Sequence, residues 1–333
     1  MRDFSALRSN ALRYGACIAL LAPALSSWSP AAAQESSKPI RLLVPFAPGG
    51  AQDIIGRYLS AQLAGRLSGP MIIENKSGAG GVIAAEAVAR APADGSTLLL
   101  ATGGAISIAP HLMAKMSYKP QQDLVPVALV ADTPMAIAVR TQSTFKSLPE
   151  LLATAKAQPG KLTYASTGTG TVSHLTGELL AQGSKTQLTH VPYRGAAPAL
   201  IDLISGNVDA IVTSAASLEP MVANGKARVL GTFTKVPLSS LPSTPTVQEA
   251  TGLSDLSVPV WVGVMAPSRT PPSVVKHLTD EILKVCVQAS TKKRLQEAGA
   301  EVVCAGSQEL AQLIHEDTQR WAGVVKQGNL KSQ

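Results

Sequence analysis

The residues of this chain best placed to do chemistry are small and neutral, and they gather in short turns that follow apolar strands. The first such turn is "APGGAQD" (47–53), after "IRLLVPF". A second is Thr102-Gly103-Gly104, after "STLLLAT". Later turns are "STGTGTVSH" (166–174), Pro192-Tyr193-Arg194-Gly195 and Thr213-Ser214. Asp53 is the single carboxylate among these turns and Arg194 the single fixed cation. Glycine lets a backbone come close to a ligand. The first N–H groups of a helix lack intrahelical partners and sit at the positive end of its dipole. A strand, a glycine turn and a helix start therefore make an anion site, for a carboxylate, a sulfate or a phosphate. The hydroxyls of Ser166, Thr167, Thr169 and Thr171 can add neutral hydrogen bonds.

Each of these residues also has a plainer reading. Asp53 suits the first turn of any helix, where a carboxylate meets the dipole. Gly49 and Gly50 are also what a tight turn needs. Arg194 is either a ligand contact or a surface cation of little energetic value. His174 reads as a packing or capping residue, and Trp261 as core or cleft wall. Catalytic and metal chemistry find little support. The five histidines, at 111, 174, 190, 277 and 315, are not at metal-ligand spacing. The G-x-G-x-x-G, G-x-x-x-x-G-K-[ST] and G-x-S-x-G signatures are absent, and no nucleophile–base pair stands at a sensible spacing. No cofactor is expected.

The elements that must carry these turns alternate. Strand "IRLLVPF" leads to a helix expected over 52–67, "MIIEN" to one over 81–91, and "STLLLAT" to the third turn. "PVALVADTPMAIAVR" is either two strands or one strand passing between lobes. The pattern then restarts with a helix at 147–158, strand "KLTYAS", a helix at 172–182, strand "QLTHVPY", a helix at 196–205 and strands "VDAIVTS" and "ARVLGTFT". "VWVGVMAP" is a last strand, and a helical tail runs from 271 to about 327. Such alternation predicts an α/β fold with two mostly parallel sheets covered by helices. The expected lobes are 34–134 with 230–333, and 135–229, with the return crossing between about 230 and 258. Ligands of such sheets sit beyond the carboxyl ends of the strands, which here means a cleft between the lobes.

Composition narrows the class. Residues 1–33 have the form of a secretory signal peptide: Arg2, Arg8 and Arg13, then "YGACIALLAPAL", then "SPAAAQ", with cleavage expected after Ala33. A membrane anchor or a loose tail is the alternative, and Cys17 lies too early in the apolar run for lipid attachment. No later segment is long and apolar enough to span a bilayer. About 300 residues remain, enough for two domains. Loss of three arginines and one aspartate takes the net charge from +7 to +5, scattered rather than clustered as a nucleic-acid face requires. A mild positive excess suits a small anionic ligand. An exported chain permits a disulfide between Cys286 and Cys304, though two buried thiols read equally well.

Six segments in order then carry a resemblance over essentially the whole mature chain. They are "KPIRLLVPFAPGGAQDIIGRYLSAQL", "IIENKSGAGGVIAAEAVARAPADGSTLLLAT", "PGKLTYASTGTGTVSHLTGELL", "HVPYRGAAPALIDLISGNVDA", "PTVQEATG" and "WVGVMAP". Together they resemble the Bug family, the periplasmic solute receptors of tripartite tricarboxylate transporters. The resemblance implies a two-lobed periplasmic binding protein, acting as a monomer, that closes on a small carboxylated solute. It implies the large and small membrane subunits of the transporter as partners. A sensor docking to a signalling membrane protein is the alternative, and an enzyme on the same fold a distant third. The resemblance also implies that the loop Phe46–Asp53 and the loop Ser166–Thr171 grip a carboxylate. The candidate contacts are Phe46, Pro48, Gly49, Gly50, Ala51, Gln52, Asp53, Thr102, Gly103, Ser166, Thr167, Thr169, Gly170, Thr171, Arg194 and Ser214. Two positions depart from the family. Ala51-Gln52 stands where a glycine and a threonine are frequent, and Thr213-Ser214-Ala215 where Asp-Asn is frequent. Without that carboxylate the site has less to offer an ammonium group, which favours plain carboxylates over amino acids.

Overall fold

The computed structural model describes residues 38–238, 240–254, 256–258, 260–297, 299–328 and 330. The signal peptide expected at 1–33 and its cleavage after Ala33 lie outside the described residues. The chain first lays down β1 (Ile40–Val44), α1 (Ala51–Gln62), β2 (Met71–Asn75), α2 (Val82–Ala89) and β3 (Thr97–Ala101). A π-helical turn at Gly104–Ile108, two short helices, α3 (Ala109–Leu112) and α4 (Pro120–Asp123), and β4 (Leu124–Asp132) follow. It then crosses into a second sheet with β5 (Met135–Arg140), α5 (Leu148–Ala157), β6 (Thr163–Ser166), α6 (Val172–Ser184) and β7 (Thr189–Pro192). That sheet is completed through α7 (Ala196–Ser205), β8 (Ala210–Ser214), α8 (Ala215–Ala223) and β9 (Ala227–Thr232). After α9 (Val247–Thr251) the chain returns with β10 (Trp261–Pro267), α10 (Pro272–Cys286), α11 (Ala289–Glu297), β11 (Glu301–Ala305) and α12 (Ser307–Gln327). No helix among the described residues is long and apolar enough to cross a membrane.

The first sheet has the order β11-β4-β10-β3-β1-β2 and the second β7-β6-β8-β5-β9. Both are mixed. β1 pairs in parallel with β2 and β3, and β6 with β7 and β8. β10 is antiparallel to β3 and β4, and β5 to β8 and β9. The physical reason lies in the crossings. β1, β3, β4, β6 and β8 end at the cleft. β5 and β10 each enter their sheet straight from the other lobe, so they start at the cleft and run the opposite way. "PVALVADTPMAIAVR" is thus two strands in two sheets, broken at Thr133-Pro134. The strands read as near-continuous apolar runs because both faces are covered; β3, β8 and β10 are buried throughout.

Three boundaries differ from the sequence expectation. α1 begins at Ala51 and ends at Gln62, five residues short of Leu67; Gly65, with φ +74°, turns the chain away. The helix expected at 81–91 spans Val82–Ala89, because Gly81 adopts φ +98° and cannot continue a right-handed helix. The C-terminal tail is not wholly helical: "EVVCA" forms β11 and adds an edge to the first sheet. Cys286 on α10 and Cys304 on β11 form a disulfide, with Cα atoms 5.6 Å apart. The tail packs on the first sheet through α10, whose Leu278, Ile282 and Val285 join its core. α12 also reaches the other lobe: Trp321, Val324 and Val325 belong to the core formed with Ile137, Tyr164 and Leu175.

Candidate functional site

Two adjoining cavities lie where the strand ends of the two sheets face one another. The inner one is about 30 Å³, room for roughly two waters. It is lined by Phe46, Ala47, Gly50, Gln52, Thr102, Met135, Thr167, Thr171, Val172, Ser173, Ala196, Thr213, Ser214, Ser217 and Val260. None of these residues carries a charge. The outer chamber, about 440 Å³, shares Phe46, Thr167 and Thr171 with it and opens past Ser77–Gly81, Thr169 and Pro192–Arg194.

The uncharged inner wall is nonetheless electropositive, because four helices start there. Gln52 lies in the first turn of α1, Val172 and Ser173 in that of α6, Ala196 opens α7, and Ser214 and Ser217 belong to the start of α8. Two of the four N-caps, Gly50 and Gly195, have no side chain to satisfy the orphan amides. The Ser214 hydroxyl does not cap α8 either; it meets the Ser217 hydroxyl at 2.9 Å. Four positive dipole ends, three of them without a side-chain cap, have the chemistry to hold an anion without a cation. Beside them the buried Thr213 hydroxyl has no hydrogen-bond partner among the described residues. An unmet buried hydroxyl costs about 1–3 kcal/mol, which a ligand oxygen can offset.

Asp53 faces away from this cavity and holds its loop. Its Oδ2 accepts from Gly49 N–H at 3.0 Å and from Arg57 Nε at 2.9 Å, and its Oδ1 from Asn75 Nδ2 at 2.9 Å. Asn75 also donates to the Phe46 carbonyl at 3.0 Å. Burial alone would push the Asp53 carboxyl up, but these donors, Arg57 foremost, hold it below the ordinary carboxylate value. Gly49, at φ +87°, makes the tight bend that brings its N–H onto the carboxylate.

The opposing loop is held from within the second lobe. The Thr171 hydroxyl caps α6 and donates to the Gly168 carbonyl at 2.7 Å, and the Ser173 hydroxyl accepts from Thr167 N–H at 3.0 Å. The loop approaches the first lobe closely. A Cβ on Gly80 would stand 3.0 Å from the Thr169 carbonyl oxygen and 3.1 Å from the Gly170 carbonyl carbon, and at φ +62° any other residue there is both crowded and strained. Behind the loop His174 and His190 stack with ring centroids 3.9 Å apart. Burial pushes His174 down to about 4, and burial together with the neighbouring ring pushes His190 down to about 3, so both are neutral near pH 7.

Of the residues singled out from sequence, Phe46, Gly50, Gln52, Thr102, Thr167, Thr171 and Ser214 line the inner cavity. Thr169 and Arg194 line the outer chamber only, with Arg194 exposed at its mouth. Pro48, Gly49, Ala51, Asp53, Gly103, Ser166 and Gly170 line neither. Sequence reasoning passed over Met135 and Val260, which lie on the two crossings between lobes and carry no polar signal. It also passed over Ser173, Ala196 and Ser217, whose signal is their place in a helix first turn, and over the Ser77–Gly81 rim.

Two α/β lobes joined by two crossings, with strand ends and helix N-termini converging on the gap between them, define a periplasmic binding protein. The profile of the tripartite tricarboxylate transporter family receptor matches residues 55–330. The chain belongs to that family, whose members include the Bug receptors. It is 33% identical over 296 residues to protein BugT of Bordetella pertussis, covering 89% of this chain and 90% of that one. Among solved structures it resembles Rpa4515 of R. palustris with adipate, at 30% identity and a TM-score of 0.84, over 88% of this chain and 97% of that one. It also resembles malate-bound MatC from Rhodopseudomonas palustris, at 34% identity and a TM-score of 0.82, over 86% and 98% of the respective chains.

Proposed function

We propose that this chain is a periplasmic receptor that captures a small carboxylate between its lobes and delivers it to the large and small membrane subunits of a tripartite tricarboxylate-type transporter. The observation that carries this reading is the inner cavity itself: four helix N-termini and seven hydroxyl side chains around a space with no charged side chain among its lining residues. A carboxylate there takes its hydrogen bonds from backbone amides near Gln52 and from Thr167 and Thr171. Its far end meets Thr213, Ser214 and Ser217. No carboxylate among the described residues lines that end to pair with an ammonium, so a plain or hydroxylated acid suits it better than an amino acid. Its relatives bound to malate and to adipate support a diacid as the first candidate.

A cavity of about 30 Å³ is far smaller than any such acid, so the ligand enters as the lobes part and its contacts favour reclosure. Isothermal titration tests the reading. Malate, succinate, adipate and citrate are set against their amides, with aspartate and glutamate as amino-acid controls. The account predicts binding of one or more plain acids and none of the matching amide. Equal binding of acid and amide, or tighter binding of aspartate or glutamate, would contradict it.

A further inference from the structure

The second-lobe loop that lines the cavity rests on the two stacked imidazoles, and each ring touches it through one specific nitrogen. His174 Nδ1 accepts from Gly170 N–H at 3.2 Å. His190 Nε2 lies 2.6 Å from the Ser166 hydroxyl, which itself accepts from Gly168 N–H at 3.1 Å. One ring comes from α6 and the other from β7, and their stacking locks the two supports together. Tyr164 lies 5.1 Å from His190, ring centroid to ring centroid, and its hydroxyl donates to the Glu178 carboxylate at 2.6 Å. Glu178 in turn stands 3.9 Å from His174 Nε2. Thr167 lies between the supported residues and Thr171 directly follows them, and both line the cavity.

We propose that the His174–His190 stack is the positioning element that sets the shape of the 166–171 loop, acting through Gly170 and Ser166, and thereby sets affinity for the solute. This rests on the loop being a ligand contact, the reading given above. A cap or packing role would need only bulk at these positions. The contacts require an acceptor at Nδ1 of residue 174 and a hydrogen-bonding atom at Nε2 of residue 190. The groups facing the pair are Tyr164 from β6 and Glu178 from α6. Acid acts directly: a proton on His174 Nδ1 would replace the acceptor with a donor pointed at Gly170 N–H.

Asparagine and glutamine discriminate these demands, because an asparagine oxygen reaches the Nδ1 position and the end of a glutamine the Nε2 position. Four variants are made: His174→Asn, His174→Gln, His190→Gln and His190→Asn. Two readouts are taken, amide hydrogen exchange at Gly168 and Gly170 in the ligand-free protein, and affinity for malate and adipate. The expected result is that His174→Asn and His190→Gln stay within about threefold of the parent chain in both. His174→Gln then speeds Gly170 exchange, and His190→Asn that of Gly168, by about tenfold or more, with a matching loss of affinity. Equal behaviour of asparagine and glutamine at each position would overturn the proposal, as would unchanged exchange in all four. If neither acid binds the parent chain, the carboxylate reading fails, while the exchange data still decide whether the imidazoles hold the loop. A second measurement covers poor folding of a variant. As pH falls toward about 4, the parent chain should lose affinity faster than His174→Asn, a ratio from which the acid's own titration cancels. Parallel loss in both would overturn the proposal.

Discussion

At the scale of single residues, the types were legible in the sequence and the directions they face were not. Asp53 stood out as the single carboxylate in the strand-end turns, and both a ligand role and a helix-start role were open. The structure gives it a third: its two oxygens take Gly49, Arg57 and Asn75. Asn75 is 22 residues away in sequence, which no local pattern reveals. Asp53→Asn removes the charge and one acceptor from this bracket. We expect melting to fall by a few degrees and solute affinity by about tenfold, measured by thermal shift and titration. An acidic side chain in direct contact with an anionic ligand would give the opposite sign, since its neutralisation would tighten binding. Because the folded Asp53 titrates below its ordinary value, the stability it adds is present above about pH 4 and is lost as pH falls through the lower folded value. Arg194 is a different case. It lines only the outer chamber and is exposed there. Arg194→Gln should lower the association rate severalfold at low salt and leave dissociation unchanged, as stopped-flow fluorescence would show.

At the scale of elements, the alternating pattern was enough to place most strands and helices, because long apolar strands and amphipathic helices write their period into the sequence. Strand direction was less legible. β5 and β10 look like any other buried strand, and only the crossing between lobes makes them antiparallel. β11 was hidden in the tail because "EVVCA" is short and follows a helical run closely. The two crossings are tied to one another. Thr133 N–H and hydroxyl donate to the Val260 carbonyl at 2.8 and 3.2 Å, and Val260 N–H donates to Asp132 Oδ1 at 2.7 Å. Burial, aided by the Glu301 and Asp317 carboxylates, raises Asp132 from 3.8 to about 6. A carboxyl raised in the folded state costs stability once it ionises, so the cost is absent below about pH 4 and complete above about pH 6. The full difference is worth up to about 3 kcal/mol. Asp132→Asn keeps the acceptor for Val260 N–H without the charge. It should raise the melting temperature by a few degrees at about pH 7.5 and leave it unchanged at about pH 4. A variant that melts lower at both would show that the charge itself is needed at the crossing.

At the scale of the whole molecule, two lobes and a cleft followed from the restart of the pattern, and the family from six ordered segments. The size of the cavity and the way it closes did not, because they depend on how two separately folded sheets meet. Closure rests on backbone against backbone: Gly80 lies under Thr169 and Gly170, and a Cβ on Gly195 would stand 3.4 Å from that of Ala47. The Cys286–Cys304 bridge was undecided in the sequence, since no pattern shows that α10 and β11 become neighbours. It closes a separation of 18 residues, for which chain entropy gives about 3 kcal/mol. Among the described residues, none that lines the inner cavity or the outer chamber belongs to α10, α11 or β11. Reduction should therefore lower the melting temperature by several degrees with no change in solute affinity, measured side by side with and without reductant. The central claim is that a carboxylate is held by helix N-termini rather than by a cation. The most direct measurement is a crystal structure with the acid that binds most tightly in the titrations. The account predicts carboxylate oxygens within hydrogen-bond distance of the amides at the start of α1 and of the Thr167 and Thr171 hydroxyls, with Arg194 apart from them. A carboxylate paired with the Arg194 guanidinium in the outer chamber, leaving the inner cavity without solute, would contradict it.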